Sequence, residues 1–163
     1  MTREQFITLV KDEQLALRRF LLSLCCGNSD DADDLAQEAL VKAYLSSASF
    51  HDSKKFKAWL YKIAYNTFIS NRRIAKLTVS IDETPDVADL SLSADRRYRY
   101  QHLYAALATL SPKERSTLVL FYLNDRSIKE ISKITETNEA TVRQQLSRGR
   151  MHLRQIMTDY GKG

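Results

Sequence analysis

The sequence predicts an all-α protein, and three observations support this fold class. Glycine and proline are scarce, with four and two copies in 163 residues, so few positions would break a helix. No segment alternates apolar and polar residues for long, as a half-buried strand would. Helix-start signatures recur instead, in which a capping Ser or Thr precedes Glu or Gln by three residues. We therefore expect helices throughout the chain.

Three helices are predicted in the first part of the chain, residues 1–76. A capping box at Thr2–Gln5 begins the first helix, and its apolar stripe runs to a stop at Gly27-Asn28. Four aspartates between positions 30 and 34 begin the second helix, where carboxylates suit the positive end of the helix dipole. The third helix is expected from about Phe56 to Lys76.

The third helix is predicted to have an apolar inner face and a basic, aromatic outer face. The inner face holds Phe56, Leu60, Ile63 and Thr67. Cations neutralise phosphates and aromatic rings stack on unpaired bases, so the outer face suits a nucleic acid. The pattern equally allows each tyrosine to pack against a neighbouring helix. The outer face comprises Tyr61, Tyr65, Ile69, Arg72 and Lys76, flanked by Lys62 and Arg73.

Residues 77–95 interrupt the helical pattern. They contain five acidic residues, no basic residue and one proline, and they lack a repeating apolar face. Such a composition predicts a flexible acidic linker. The chain therefore divides into two small helical domains, residues 1–76 and 96–163. The second domain is expected to begin with a helix from Arg96 to Thr109.

Three further helix starts follow in the second domain. Ser111 and Ser127 each precede a glutamate by three residues, and Asn138 can cap the last helix. A short helix, a tight turn and a second helix form a helix-turn-helix, whose second helix lies in the DNA major groove. Its apolar seam is predicted to comprise Val142, Leu146, Gly149 and Leu153. The opposite side carries Arg143, Gln144, Ser147, Arg148 and Arg154.

Charge alternates along the chain. Residues 1–53 have five basic and nine acidic side chains, and residues 54–76 have seven basic and none acidic. The linker is acidic, and residues 96–163 have 13 basic and six acidic side chains. Two basic blocks predict two contacts with a polyanion, and the acidic first block predicts a basic partner. Any single block by itself is better explained as a solvated helix face, but both basic blocks coincide with helical motifs, which favours the contacts.

Several classes of function are not expected. No segment approaches the roughly 20 apolar residues of a membrane span, and no signal peptide is visible, so we predict a cytoplasmic protein. Cys25 and Cys26 are adjacent and lack a CxxC or histidine cluster, so they predict small buried apolar residues rather than a metal site. The three histidines are scattered, and no nucleophile–base pair or glycine-rich phosphate loop occurs. We therefore predict no enzyme, no catalytic residue and no cofactor.

Several stretches along the chain together match the pattern of one known protein family. In the first domain they are Asp34 to Glu38 followed by Ala43-Tyr44, and the run from Phe56 to Asn66 with Arg72-Arg73 beyond it. In the second domain they are Leu110 to Arg115, Ile128 to Ile131 and Thr141 to Arg150. The first set resembles region 2, and the second set resembles region 4, of the extracytoplasmic-function group of bacterial RNA polymerase sigma factors. Together they cover nearly the whole chain in the family's order, which is more specific than one helix-turn-helix.

The resemblance implies contacts with core RNA polymerase and with promoter DNA. In the family, region 2 docks on the β′ clamp, region 4 meets the β flap, and the linker passes through the polymerase channels. Family members are commonly held by an anti-sigma factor that covers these surfaces, so such a partner is implied too. The residues implied in core binding are Asp34, Gln37, Glu38 and Lys42.

The resemblance also implies that the first domain opens the −10 element. There a non-template base is flipped into a pocket, and unstacking it costs a few kcal/mol that stacking and hydrogen bonds must offset. The loop Phe50–Lys55 and the third helix would do this, although Trp59 is also a candidate for the core. The residues implied are Lys54, Lys55, Trp59, Tyr61, Lys62, Tyr65, Asn66, Arg72 and Arg73.

For the −35 element, the resemblance implies that the last helix reads duplex DNA. An Arg bidentate to guanine or a Gln to adenine discriminates by ~1–3 kcal/mol. Arg150 and Arg154 are expected to meet phosphates rather than bases. The residues implied are Thr141, Arg143, Gln144, Ser147, Arg148, Arg150 and Arg154.

Two positions depart from the family's pattern. The turn of the helix-turn-helix is Thr135-Glu136-Thr137, where the family commonly has a Leu-Gly-Ile type of turn. A left-handed residue other than glycine costs ~1 kcal/mol, so we expect a turn of different shape. Ser70 stands where the family commonly has an Asp that would orient Arg73.

Two alternatives remain open from the sequence. The first is a helix-turn-helix transcriptional regulator that does not bind core polymerase, since residues 111–146 also resemble the C-terminal domain of response regulators. It would need a receiver domain, and residues 1–76 show no alternating β/α pattern. The second is a helical interaction or adaptor module whose basic faces are only solvated. Binding to core polymerase separates both alternatives from a sigma factor.

Overall fold

The computed structural model describes the backbone of residues 1–77 and 94–161, and the side chains of residues 1–71, 100–156 and 158. Residues 78–93, which contain most of the predicted linker, lie outside the described residues. The described chain is helical, and the predicted all-α fold class is confirmed. We call residues 1–77 the N-terminal half and residues 94–161 the C-terminal half.

Three helices form the N-terminal half: α1 (Arg3–Leu24), α2 (Ser29–Ser46) and α3 (Phe56–Leu77). The capping box of α1 is confirmed, because Thr2 accepts from the Gln5 amide and the Gln5 side chain accepts from the Thr2 amide. Two 3₁₀ turns, Ser47–Ser49 and Ser53–Lys55, connect α2 to α3. The core between the helices includes Leu17, Phe20, Leu21, Ala39 and Leu60, each no more than 1% exposed. Burying one such large side chain contributes roughly 1.5–3 kcal/mol.

Four helices form the described C-terminal half. They are α4 (Ala94–Ala108), α5 (Pro112–Leu118), α6 (Ile128–Thr135) and α7 (Glu139–Gly161), and a π-helical turn at Val119–Leu123 follows α5. The apolar seam of α7 faces inward as predicted: Val142, Leu146 and Gly149 are buried, and Leu153 is half-buried. A Cβ on Gly149 would lie 2.7 Å from Cδ1 of Leu118, so glycine allows α7 to approach α5 closely.

The two halves pack against each other. Helix α3 contacts α6, and α1 contacts α4, α5 and the π-helical turn. Gly27 lies at one of these contacts with φ +88°, and a Cβ there would lie 2.6 Å from Cδ2 of Tyr104. Glycine is therefore required both for the left-handed turn after α1 and for the close approach of α4.

Two residues predicted on the outer face of α3 are buried instead. Tyr61 is fully buried and Tyr65 is 6% exposed, although both were expected on the outer face of α3. The Tyr61 ring packs edge-on against Phe20, with ring centroids 5.1 Å apart. Helix α3 packs against α1 and α2 of its own half and against α6 of the C-terminal half. Packing against neighbouring helices, the alternative that the sequence also allowed, is what the structure shows.

Candidate nucleic-acid interface

Helix α6 begins with a complete capping box. Ser127 accepts from the Glu130 amide at 3.1 Å, and Glu130 accepts from the Ser127 amide at 3.4 Å. Arg126 donates to the second oxygen of Glu130 at 2.9 Å. Ile131 and Ile134 of α6 are fully buried, so the helix is fixed at its start and along one face. This gives the helix-turn-helix a rigid first helix.

The turn between α6 and α7 is left-handed despite its lack of glycine. Glu136 has φ 52° and ψ 43°, and its amide donates to the Ser132 carbonyl. The Thr137 amide donates to the same carbonyl at 3.1 Å, and the Ser132 hydroxyl donates to the Thr137 carbonyl. The turn therefore adopts a left-handed conformation at a glutamate, without the glycine that such a position usually requires. These local hydrogen bonds offset the ~1 kcal/mol that a left-handed glutamate costs.

Helix α7 presents a polar face along its first turns. Asn138 caps it by accepting from the Thr141 amide at 2.8 Å, as predicted. Arg143, Gln144, Ser147 and Arg148 are all exposed on this face. Arg143 lies 3.5 Å from Glu139 one turn earlier, an exposed pair that another anion can readily replace.

The remaining residues predicted for the −35 element lie in different environments. Thr141 is half-buried in the first turn of α7, so little of its side chain is accessible. Arg150 is exposed and donates to the Tyr122 hydroxyl at 3.1 Å, an arrangement that ties it to the π-helical turn. Arg154 is exposed one turn further on.

The residues predicted for the −10 element do not form one continuous face. Lys54, Lys55 and Asn66 are exposed, and Trp59 is half-buried and stacks on Phe50 at a centroid distance of 4.5 Å. Lys62 is half-buried and pairs with Glu136 of the C-terminal half. Arg72 and Arg73 belong to the last turns of α3, and their side chains lie outside the description. Tyr61 and Tyr65 are buried, so neither is accessible to DNA in this structure.

The residues predicted for core binding lie together on α2. Asp34 and Gln37 are exposed, and Lys42 pairs with Glu38 at 3.2 Å. A hydrogen bond from Asn71 of α3, at 3.1 Å, and the nearby Lys42 lower the pKa of the Glu38 carboxyl. Glu38 therefore stays ionised and keeps this face acidic.

Arg115 is the principal polar residue that the sequence analysis missed. It is 3% exposed, and its guanidinium donates to the carbonyls of Leu24 at 2.8 Å, Leu107 at 2.9 Å and Leu110 at 3.2 Å. Leu24 is the last residue of α1, so the bond joins the two halves. The sequence contains one sign that Arg115 is buried. It precedes the buried Leu118 and Val119 by three and four residues and therefore shares their helix face.

No group of three or more His, Cys, Asp or Glu within the described residues is placed to hold a metal ion. None of the described helices is long and apolar enough to cross a membrane. Cys26 is buried and Cys25 is half-buried, and their sulfurs are not joined in a disulfide.

The fold and the exposed face of α7 define a helix-turn-helix DNA-binding protein, and comparison with known proteins identifies its family. The model of sigma-70 region 2 matches residues 9–77, and the model of sigma-70 region 4 matches residues 100–153. The ECF RNA polymerase sigma factor SigW of Bacillus subtilis is 32% identical over 147 residues, covering 82% of this chain and 79% of SigW. RNA polymerase sigma factor SigV of the same organism is 31% identical, covering 90% of this chain and 87% of SigV.

Solved structures agree with these sequence matches. The sigma factor RpoE of Bartonella quintana, in complex with the anti-sigma factor NepR, has a TM-score of 0.79 and 28% identity. The match covers 94% of this chain and 96% of RpoE. The chain belongs to the extracytoplasmic-function family of RNA polymerase sigma factors. It directs core RNA polymerase to promoters for transcription initiation, and proteins of this class are DNA-binding initiation factors rather than enzymes.

Proposed function

We propose that α7 reads the −35 element in the major groove, with Arg143, Gln144, Ser147 and Arg148 nearest to the bases. The observation that carries this proposal is the exposure of all four side chains on the first half of α7, opposite its buried seam. Base edges are usually reached from the N-terminal part of a recognition helix. Arg150 and Arg154, further along, suit phosphate contacts, and Thr141 supports the first turn.

We infer that the −10 element meets the N-terminal half. The exposed Lys54, Lys55 and Asn66 form the accessible part of this surface, with the half-buried Trp59 beside them. Lys62 borders it, and Arg72 and Arg73 extend it along α3. Trp59 is its accessible aromatic ring for stacking on an unpaired base, whereas Tyr61 and Tyr65 are buried and would have to leave the core to take part.

We also propose the following partners and arrangement. Asp34, Gln37, Glu38 and Lys42 on α2 dock on the β′ clamp of core polymerase, and the C-terminal half meets the β flap. An anti-sigma factor holds the chain in the cytoplasm when it is inactive, as supported by the fold shared with RpoE in its NepR complex. Residues 1–76 and 96–163 act as separate domains joined by the linker 77–95.

Replacement of Arg148 by alanine tests the reading role of α7. Holoenzyme reconstituted with Arg148→Ala should lose about 1–3 kcal/mol of discrimination at one position of the −35 element, because a bidentate base contact is lost. The measurement is binding to a library of −35 sequences. Arg154→Ala, the matched control, should weaken binding equally on all sequences. A uniform loss for Arg148→Ala would make it a phosphate contact and contradict the assignment.

A further inference from the structure

The carboxylate of Glu38 on α2 is held by two different side chains, one at each oxygen. Nζ of Lys42, one turn further along α2, lies 3.2 Å from Oε1. Nδ2 of Asn71, which belongs to α3, donates to Oε2 at 3.1 Å. The Glu38 side chain is nonetheless 42% exposed, so a partner can still reach it. The two contacts therefore fix the carboxylate at the surface without covering it.

The contacts from Lys42 and Asn71 differ in kind. Lys42 is a cation, and its Nζ also lies 3.5 Å from Oγ1 of Thr67, which gives it a second acceptor. An exposed ion pair one turn apart on a helix contributes little, so a competing cation can replace it. Asn71 carries no charge, and its hydrogen bond leaves the negative charge of Glu38 in place. A basic partner can therefore displace Lys42 and keep the contact from Asn71.

The hydrogen bond from Asn71 restricts Glu38 before any partner binds. Helices α2 and α3 pack against each other, and Asn71 is half-buried between its exposed neighbour Ser70 and the last turns of α3. A glutamate that is free to rotate on a helix surface loses this freedom when a partner binds it, and the loss reduces affinity. The same hydrogen bond is the largest cause of the lowered pKa of Glu38, so it also keeps the carboxylate ionised.

We propose that Asn71 is a positioning residue for core polymerase, because it holds Glu38 ready for a basic side chain of the clamp. A carboxylate offers about four lone-pair positions, and Lys42 and Asn71 occupy two of them. An arginine or a lysine of the partner can bind at the others through a charge-assisted hydrogen bond. The inference rests on the proposed function, which places Glu38 on the surface that docks on core polymerase.

A double-mutant cycle on Asn71 and Glu38 tests this inference in the full-length chain. The measurement is the dissociation constant for core polymerase, without promoter DNA, at one fixed salt concentration. Asn71→Ala should weaken core binding roughly two- to tenfold, because the Glu38 side chain must then be ordered as it docks. Glu38→Ala should weaken binding at least as much. Addition of Asn71→Ala to Glu38→Ala should cause no further loss, because Asn71 acts through Glu38.

Two further variants complete the test. Asn71→Leu keeps a side chain of similar size without a hydrogen-bond donor, and it should weaken core binding as Asn71→Ala does. Ser70→Ala, at the exposed neighbouring position of α3, is the matched control and should leave core affinity unchanged. Unchanged affinity of either Asn71 variant, or an equal loss with and without Glu38, would overturn the inference. Full core affinity of Glu38→Ala, or absence of core binding by the unaltered chain, would contradict the proposed function itself.

Discussion

Arg115 shows how one buried cation organises several backbone segments. Its donors reach carbonyls at the end of α1, within α4 and just before α5, so its loss leaves those carbonyls without their partner. We expect Arg115→Met to lower the free energy of unfolding by about 2–4 kcal/mol, measured by chemical denaturation. Lys113→Met, at an exposed position of α5, should change it by less than about 0.5 kcal/mol. A loss below about 1 kcal/mol for Arg115→Met would contradict this role.

Tyr61 makes the free energy of unfolding decrease at alkaline pH. Burial raises the pKa of the Tyr61 phenol above its ordinary value of 10.0, and the hydrogen bond from Asn124 opposes this only in part. Above pH 10 the unfolded chain releases the phenolic proton more readily than the folded chain does. The contribution of Tyr61 is therefore complete below pH 10 and is lost as the pH rises through its folded pKa.

Replacing the Tyr61 hydroxyl tests this dependence. Tyr61→Phe should show a smaller decline in the free energy of unfolding between pH 10 and pH 11.5 than the original chain, in parallel denaturation series. An identical decline in both proteins would show that Tyr61 titrates alike in the folded and unfolded states.

Single side chains were the least predictable feature of the sequence. The helical periodicity of α7 predicts correctly that Arg143 and Arg148 are exposed, because its apolar and polar residues fall on separate faces. Tyr61 and Tyr65 are amphipathic and tolerate either environment, so their burial depends on tertiary contacts, such as those of Tyr61 with Phe20 of α1 and with Asn124. Long-range packing of this kind leaves little trace in local sequence.

At the scale of elements, capping residues decide where the helices begin. Ser127 and Glu130 satisfy two amides at the start of α6, the first helix of the helix-turn-helix. We expect Ser127→Ala to lower the free energy of unfolding by about 1 kcal/mol. Ser46→Ala is the matched control, because Ser46 precedes a 3₁₀ turn without a side-chain cap. Equal effects of the two substitutions in denaturation experiments would contradict the importance of the capping box.

The sequence predicted the helix starts well. Thr2, Ser111, Ser127 and Asn138 all cap helices at the expected positions, since capping chemistry is local and needs no tertiary context. The left-handed backbone at Glu136 could not be predicted in the same way. It is accompanied by hydrogen bonds between Thr137 and Ser132, which the sequence pattern does not reveal.

At the scale of the whole molecule, the two surfaces proposed for the promoter differ in accessibility. The polar side of α7 is exposed, whereas Tyr61 and Tyr65 of α3 are buried. Charge blocks along the sequence predict two basic surfaces, because clustered cations need no partner within the fold, and their contacts with DNA stay a prediction. The way in which the halves cover each other could not be predicted, since it depends on contacts such as Arg115 with Leu24.

Run-off transcription by reconstituted holoenzyme tests the central claim, two promoter contacts carried by one polymerase subunit. Core polymerase with this chain should initiate at promoters selected by the same holoenzyme. Five base pairs inserted between the −35 and −10 elements turn one contact to the opposite side of the duplex, because a helical turn is 10–10.5 base pairs. Initiation should then fall about tenfold or more, as expected when one specific contact is lost. Initiation that is absent at every selected promoter, or indifferent to the insertion, would contradict the account.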